Sequence, residues 1–197
     1  PGRDYRIMEF CGGHTHAIFR HGVQDLVPSN VQFIHGPGCP VCVLPVSRLD
    51  MAIELAKRPD VTLLSYGDMM RVPASKRTSL LKAKAAGADV RMIYSTQDAL
   101  RIARENPARQ IVLFAIGFET TTPPTAVAIR QAAEQGLRNF SVFCNHVLTP
   151  AAIQNILESP DLREFGLVRI DGFLGPSHVS TIIGSRPYEF FAEEFQK

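Results

Sequence analysis

Residues 111–116 read Ile-Val-Leu-Phe-Ala-Ile, six apolar side chains in succession closed by Gly117. Such a run is too short to span a bilayer and offers no alternate polar side chain to water. It therefore predicts a strand covered on both faces, the situation of a parallel sheet. Further apolar runs at residues 6–10, 31–35, 61–66, 90–94, 140–143 and 172–174 are predicted as strands too. Between them lie segments of helical spacing. Residues 15–27 place Phe19, Val23, Leu26 and Val27 on one face, and Leu49, Ala52, Ile53 and Ala56 mark a second helix. Residues 80–86 end at Gly87, and Ser95 with Asp98 has the spacing of a capping box for a helix running to Asn106. A helix from about Thr125 carries Ala126, Ile129 and Ala133, Thr149-Pro150 opens another, and residues 188–195 close the series. Strands alternating with helices through short connections require parallel pairing and right-handed crossovers, hence an α/β fold. Four such units before about Asp98 and three after it predict two Rossmann-like lobes with parallel sheets facing a cleft, residues 1–97 and 98–197.

The 197 residues are 45% hydrophobic and 20% charged with a net charge of +2, a balance that favours neither a nucleic-acid face nor a membrane. With no signal-like segment, a cytoplasmic address is expected. The absence of an initiator Met and the stop just after a helix suggest that both ends are cut. Four cysteines, Cys11, Cys39, Cys42 and Cys144, are too few and too unevenly spaced for a secreted disulfide framework, which leaves metal ligation or redox chemistry.

Ligands of open parallel sheets bind beyond the carboxyl ends of the strands. Those ends are predicted to carry Cys11, His14 and His16, then Cys39 and Cys42, Asp68, Ser95, Glu119 and Thr120, Cys144 and His146, and finally Ser177 and His178. Cys39-Pro-Val-Cys42 follows His35-Gly-Pro-Gly in a turn with little backbone freedom. Two thiols so placed can hold one metal or form a reversible disulfide. Cys11-Gly-Gly-His14 adds a thiolate and an imidazole beside glycines that admit a ligand closely. Together the four residues form a C-x2-H then C-x2-C set, which suits a structural zinc ion; the dithiol alone suits a thiol-disulfide oxidoreductase, although such a site is expected at a helix start. The stretch from Gly117 through Glu119, Thr120, Thr121 and Thr122 to Pro123 puts a carboxylate and hydroxyls at a helix entrance, suited to an anionic ligand and to proton transfer. No nucleotide-binding glycine fingerprint is present. Cys144, His146 and His178 are weaker candidates, His21 reads as solvated, Ser95 as a helix cap, and Asp68 as the cap of a turn.

FCGGHTHAIF at residues 10–19, FIHGPGCPVCVLP at 33–45, GDMMRVP at 67–73 and GFETTTPPTA at 117–126 closely resemble the HypD family of [NiFe]-hydrogenase maturation proteins. The resemblance covers nearly the whole chain in the family's order. It implies two α/β lobes about a cleft and a scaffold on which the Fe(CN)2CO group is assembled with HypC and with cyanide delivered through HypE. Cys11 matches the family's iron-ligating cysteine, with His14 beside it. Cys39 and Cys42 match its redox-active dithiol, and Gly117, Glu119, Thr120 and Thr121 match the motif lining its assembly cleft. The resemblance also implies a [4Fe-4S] cluster whose ligands would lie beyond Lys197.

Overall fold

The computed structural model describes residues 2–160 and 169–197. In chain order its elements are β1 (Tyr5–Glu9), α1 (Gly12–Arg20), α2 (Val23–Leu26), β2 (Val31–His35), α3 (Val46–Ala56), β3 (Val61–Ser65), α4 (Leu80–Ala85) and β4 (Val90–Met92). There follow α5 (Thr96–Glu105), β5 (Gln110–Gly117), α6 (Thr122–Glu134), β6 (Phe140–His146), α7 (Thr149–Leu157), β7 (Gly172–Leu174), α8 (Ser177–Ile183) and α9 (Arg186–Glu194). The protein is α/β, with two parallel sheets of Rossmann-like arrangement, ordered β2-β1-β7 and β4-β3-β5-β6. Among the described residues no helix is long and apolar enough to cross a membrane.

The chain divides into two compact units, but not at residues 97/98. One unit comprises residues 1–42, 118–120 and 147–197; the other comprises 43–117 and 121–146. Sheet membership follows strand pairing rather than proximity in sequence. In the first unit β7 returns to β1, Ile7 opposite Gly172 and Glu9 opposite Leu174, so the chain's start and its last strand share one sheet.

In the four-stranded unit the apolar β5 lies between β3 and β6, every residue from Ile111 to Gly117 being buried, as a run without polar alternation demands. Leu64, Ile111, Leu113 and Ala115 pack with Ile93, just after β4, and with Ala99, Ile102 and Ala103 from α5. Each fully buried Leu or Ile contributes about 1.5–3 kcal/mol relative to exposure. The capping box is formed: Ser95 Oγ accepts from the Asp98 N–H, and Asp98 accepts from the Ser95 N–H. Helix α6 begins three residues earlier than expected because Pro123 and Pro124 occupy its first turn, where no intrahelical donor is lost. Strand β6 continues to His146, so Cys144 lies within the strand instead of beyond it.

In the three-stranded unit Met8 and Phe10 pack with Ile153, Ile170 and Phe191. The single helix expected over residues 15–27 is two helices, because Gly22 adopts φ 60° and breaks the run. Its expected apolar face is wrong as well: Ile18 is buried, whereas Phe19 and Leu26 are 71% and 79% exposed. Helix α8, starting at Ser177, was not anticipated; it is only seven residues long.

Candidate functional site

Strand β1 alternates its side chains across the sheet, so Met8 enters the apolar core while Glu9 faces the other way, level with His35 of β2. Glu9 is completely buried. Its Oε2 accepts the Cys11 N–H at 2.9 Å; its Oε1 accepts the Thr15 hydroxyl and lies 2.7 Å from His35 Nδ1. Burial alone would push this carboxyl up, but the hydrogen bonds from Thr15, His35 and the Cys11 amide outweigh it and hold the carboxyl below its ordinary range. The Glu9 carboxylate is thus engaged on both oxygens.

Cys11 directly follows, in extended conformation, at the N-cap of α1. Its side chain does not cap the helix, which leaves Sγ for other partners. A Cβ at Gly13 would stand 3.4 Å from Cys11 Sγ, and one at Gly12 would meet the Gly38 carbonyl oxygen at 3.9 Å. His14 Nδ1 is buried without a hydrogen-bond partner.

The thiol turn after β2 is seated on this loop by two glycines. The Gly36 N–H donates to the Glu9 carbonyl at 2.8 Å, and a Cβ at Gly36 would come 2.9 Å from that oxygen. A Cβ at Gly38 would lie 2.6 Å from Gly12 N and 3.0 Å from the Cys11 carbonyl carbon. Only glycine permits backbone to meet backbone so closely, and Cys39 is the next residue. Cys39 is half-buried and Cys42 exposed, both as free thiols; the Cys42 N–H points at Cys39 Sγ over 3.3 Å. The Cys42 thiol is pushed up, first by its hydrogen bond with Cys39, then by burial and by the charge of Cys39.

The zinc arrangement does not form. Among the described residues no three His, Cys, Asp or Glu side chains converge on a metal position. Cys11 and Cys39 are half-buried and Cys42 is exposed, and all three are free thiols. The same observation bears on an iron-sulfur cluster: among the described residues no such group of ligands is found.

Glu119, two residues before the N-cap of α6, is buried, and its carboxylate turns to α7. Its two carboxylate oxygens accept the Thr149 N–H at 2.6 Å and the Thr149 hydroxyl at 3.0 Å, anchoring the first turn of α7. One of that helix's free amides is satisfied and its dipole is met by a negative charge. Thr120 is exposed, and Thr121, the N-cap of α6, stands so close to Gly117 that no Cβ fits there. His146, paired with Gly117 across β5 and β6, places Nε2 3.1 Å from Thr125 Oγ1. His16, His21 and His178 are exposed, and Asp68 Oδ1 accepts the Met69 N–H within a short turn.

The structure thus brings Cys11, His14 and the Cys39/Cys42 turn into one loop cluster. Reading the sequence missed the group beneath it, Glu9 with Thr15 and His35. The available signal was a carboxylate ending an otherwise apolar strand two residues before Cys11, a position where a charge needs partners.

Parallel strands that end in glycine-packed, thiol-bearing loops define an α/β thiol scaffold. The chain belongs to the HypD family: the family model described as "HypD: Hydrogenase formation hypA family" matches residues 1–197. Over all of its 197 residues it is 71% identical to hydrogenase maturation factor HypD2 of Bradyrhizobium diazoefficiens and 70% identical to hydrogenase maturation factor HypD of Rhizobium leguminosarum bv. viciae, covering 52% and 51% of those proteins. It is 52% identical over 195 residues, 99% of the chain, to hydrogenase maturation factor HypD of Escherichia coli, of which it covers 50%. The chain spans about half the length of the curated relatives it matches.

Proposed function

We propose that this chain forms the iron-holding part of a hydrogenase maturation factor, on which the Fe(CN)2CO group is assembled in complex with HypC, with cyanide arriving through HypE. The observation that carries the reading is the seating of Gly38 on Cys11 and Gly12, which sets the dithiol turn against the loop of the candidate iron ligand. In this reading iron is the substrate, and Cys11 thiolate, a soft donor suited to iron that carries cyanide and CO, is its ligand from this chain. His14, whose Nδ1 lacks a partner, offers a further polar contact beside it. Cys39 and Cys42 form a two-electron couple; their oxidation to a disulfide releases two electrons and two protons together. Glu119 and Thr120, with Gly117 and Thr121, match the family's assembly motif, and Glu119 anchors the first turn of α7.

Anaerobically purified full-length protein in complex with HypC should show cyanide and CO stretching bands in the infrared. Cys11→Ala should abolish them while the complex still forms. Unchanged bands in that variant would remove Cys11 as the iron ligand. Generic disulfide turnover independent of iron and of Cys11 would instead favour a thiol-disulfide oxidoreductase.

A further inference from the structure

We propose that Glu9 is the positioning residue that sets the Cys11 loop and the Cys39/Cys42 turn relative to each other, a role that rests on reading those thiols as iron ligand and dithiol. Its carboxylate is completely buried, and its donors come from three different segments. The Cys11 amide belongs to the exit of β1, the Thr15 hydroxyl to the first turns of α1, and the His35 imidazole to the last residue of β2. The Glu9 backbone adds a fourth tie, accepting the Gly36 N–H at 2.8 Å. The loops bearing Cys11 and Cys39 therefore both start from groups bonded to one residue.

Stability alone does not call for a charge here. Removing a carboxylate from water costs several kcal/mol, and well-packed apolar side chains in place of a buried ion pair are often neutral or stabilising. What a carboxylate supplies and an apolar side chain cannot is direction: two oxygens at fixed separation, each accepting along defined lines. The His35 ring is held on its other side by Phe19, with ring centroids 5.3 Å apart and planes tilted by 36°. The imidazole is thus constrained by a hydrogen bond at one edge and a ring contact at its face. Glu9 does not touch the iron in this account; it acts through the backbone of Cys11 and through His35.

The test uses the full-length protein in complex with HypC, handled anaerobically. In Glu9→Gln the shape is kept, but one oxygen becomes an amide that faces a donor. The iron-borne cyanide and CO bands should shift in frequency or fall at least threefold in intensity. The Cys39/Cys42 dithiol–disulfide equilibrium should move by at least tenfold, about 30 mV for a two-electron couple. Circular dichroism and HypC binding should stay as in the wild type. His35→Asn, whose amide nitrogen can stand where Nδ1 stands, should retain wild-type values, whereas His35→Leu should move both readouts in the direction of Glu9→Gln. A folded Glu9→Gln protein with unchanged bands and equilibrium overturns the proposal. Should Glu9→Gln fail to fold, identical readouts in His35→Leu and the wild type overturn it equally. If Cys11→Ala leaves the bands intact, the iron reading fails separately, and Glu9 is then judged on the dithiol equilibrium alone.

Discussion

His35 Nδ1 stands 2.7 Å from Glu9 Oε1, joining residues 26 positions apart at the ends of two neighbouring parallel strands. Glu9 is buried and His35 is 38% exposed, so the bond has one dry end and one wet end. Loss of a hydrogen bond to a charged group costs about 1.5–3 kcal/mol, and the exposed partner places this one at the lower end. His35→Leu should lower stability by about 1.5 kcal/mol in urea unfolding, and His35→Asn by less than half of that.

At Gly38 the neighbours of a new Cβ would be Gly12 N and two Cys11 backbone atoms, none of which can rotate away. Gly38→Ala should therefore push the thiol turn off the Cys11 loop and cost about 1–3 kcal/mol, the range for overpacking a tight site. Unfolding midpoints would give the energy. Alkylation of Cys39, half-buried in the wild type, should become faster as the turn lifts.

Glu119 and Thr149 make two hydrogen bonds in a buried setting. Glu119→Ala leaves the Thr149 amide and hydroxyl without their acceptor and should destabilise by about 1–3 kcal/mol for the worse-placed donor. Thr149→Val removes one of the two bonds, about 1 kcal/mol. A double-mutant cycle should give a combined loss smaller than the sum, because both changes break the same contact. Additive losses would mean that Glu119 acts elsewhere.

Burial pushes the His146 imidazole down, with the Gly117 carbonyl partly opposing it. A depressed folded value means that the unfolded chain takes up the proton first as pH falls. The contribution is complete above the ordinary imidazole value of about 6.5 and is lost as pH drops through the folded value. Urea midpoints taken from about pH 8 down to about pH 5 should fall in the wild type. In His146→Gln, whose amide nitrogen can take the Nε2 position beside Thr125, that part of the slope should flatten.

Ser95 and Asp98 show how far local chemistry reaches. A capping box is settled within four residues, and it forms as the sequence indicates. The same holds for the apolar run of β5, whose composition already demands cover on both faces, and for Gly87, whose φ of 101° ends α4 as a glycine should. Phe19 and Leu26 mark the limit. Helical spacing identifies a possible apolar face, but Gly22 breaks the helix between them, and both side chains remain exposed.

Alternation of strand and helix, parallel pairing and the position of Cys11 just after β1 and of the Cys39/Cys42 turn after β2 were legible in the chain itself, because they follow from periodicity and from turn residues within a few positions. Packing across the fold is what joins β7 to β1 instead of to the strands nearer in sequence, turns Glu119 to α7, and gives Glu9 the Cys11 amide, Thr15 and His35 as partners. Hydrogen-bond partners of buried groups are chosen by packing across many residues, and a carboxylate in a sequence carries no mark of which donors will reach it.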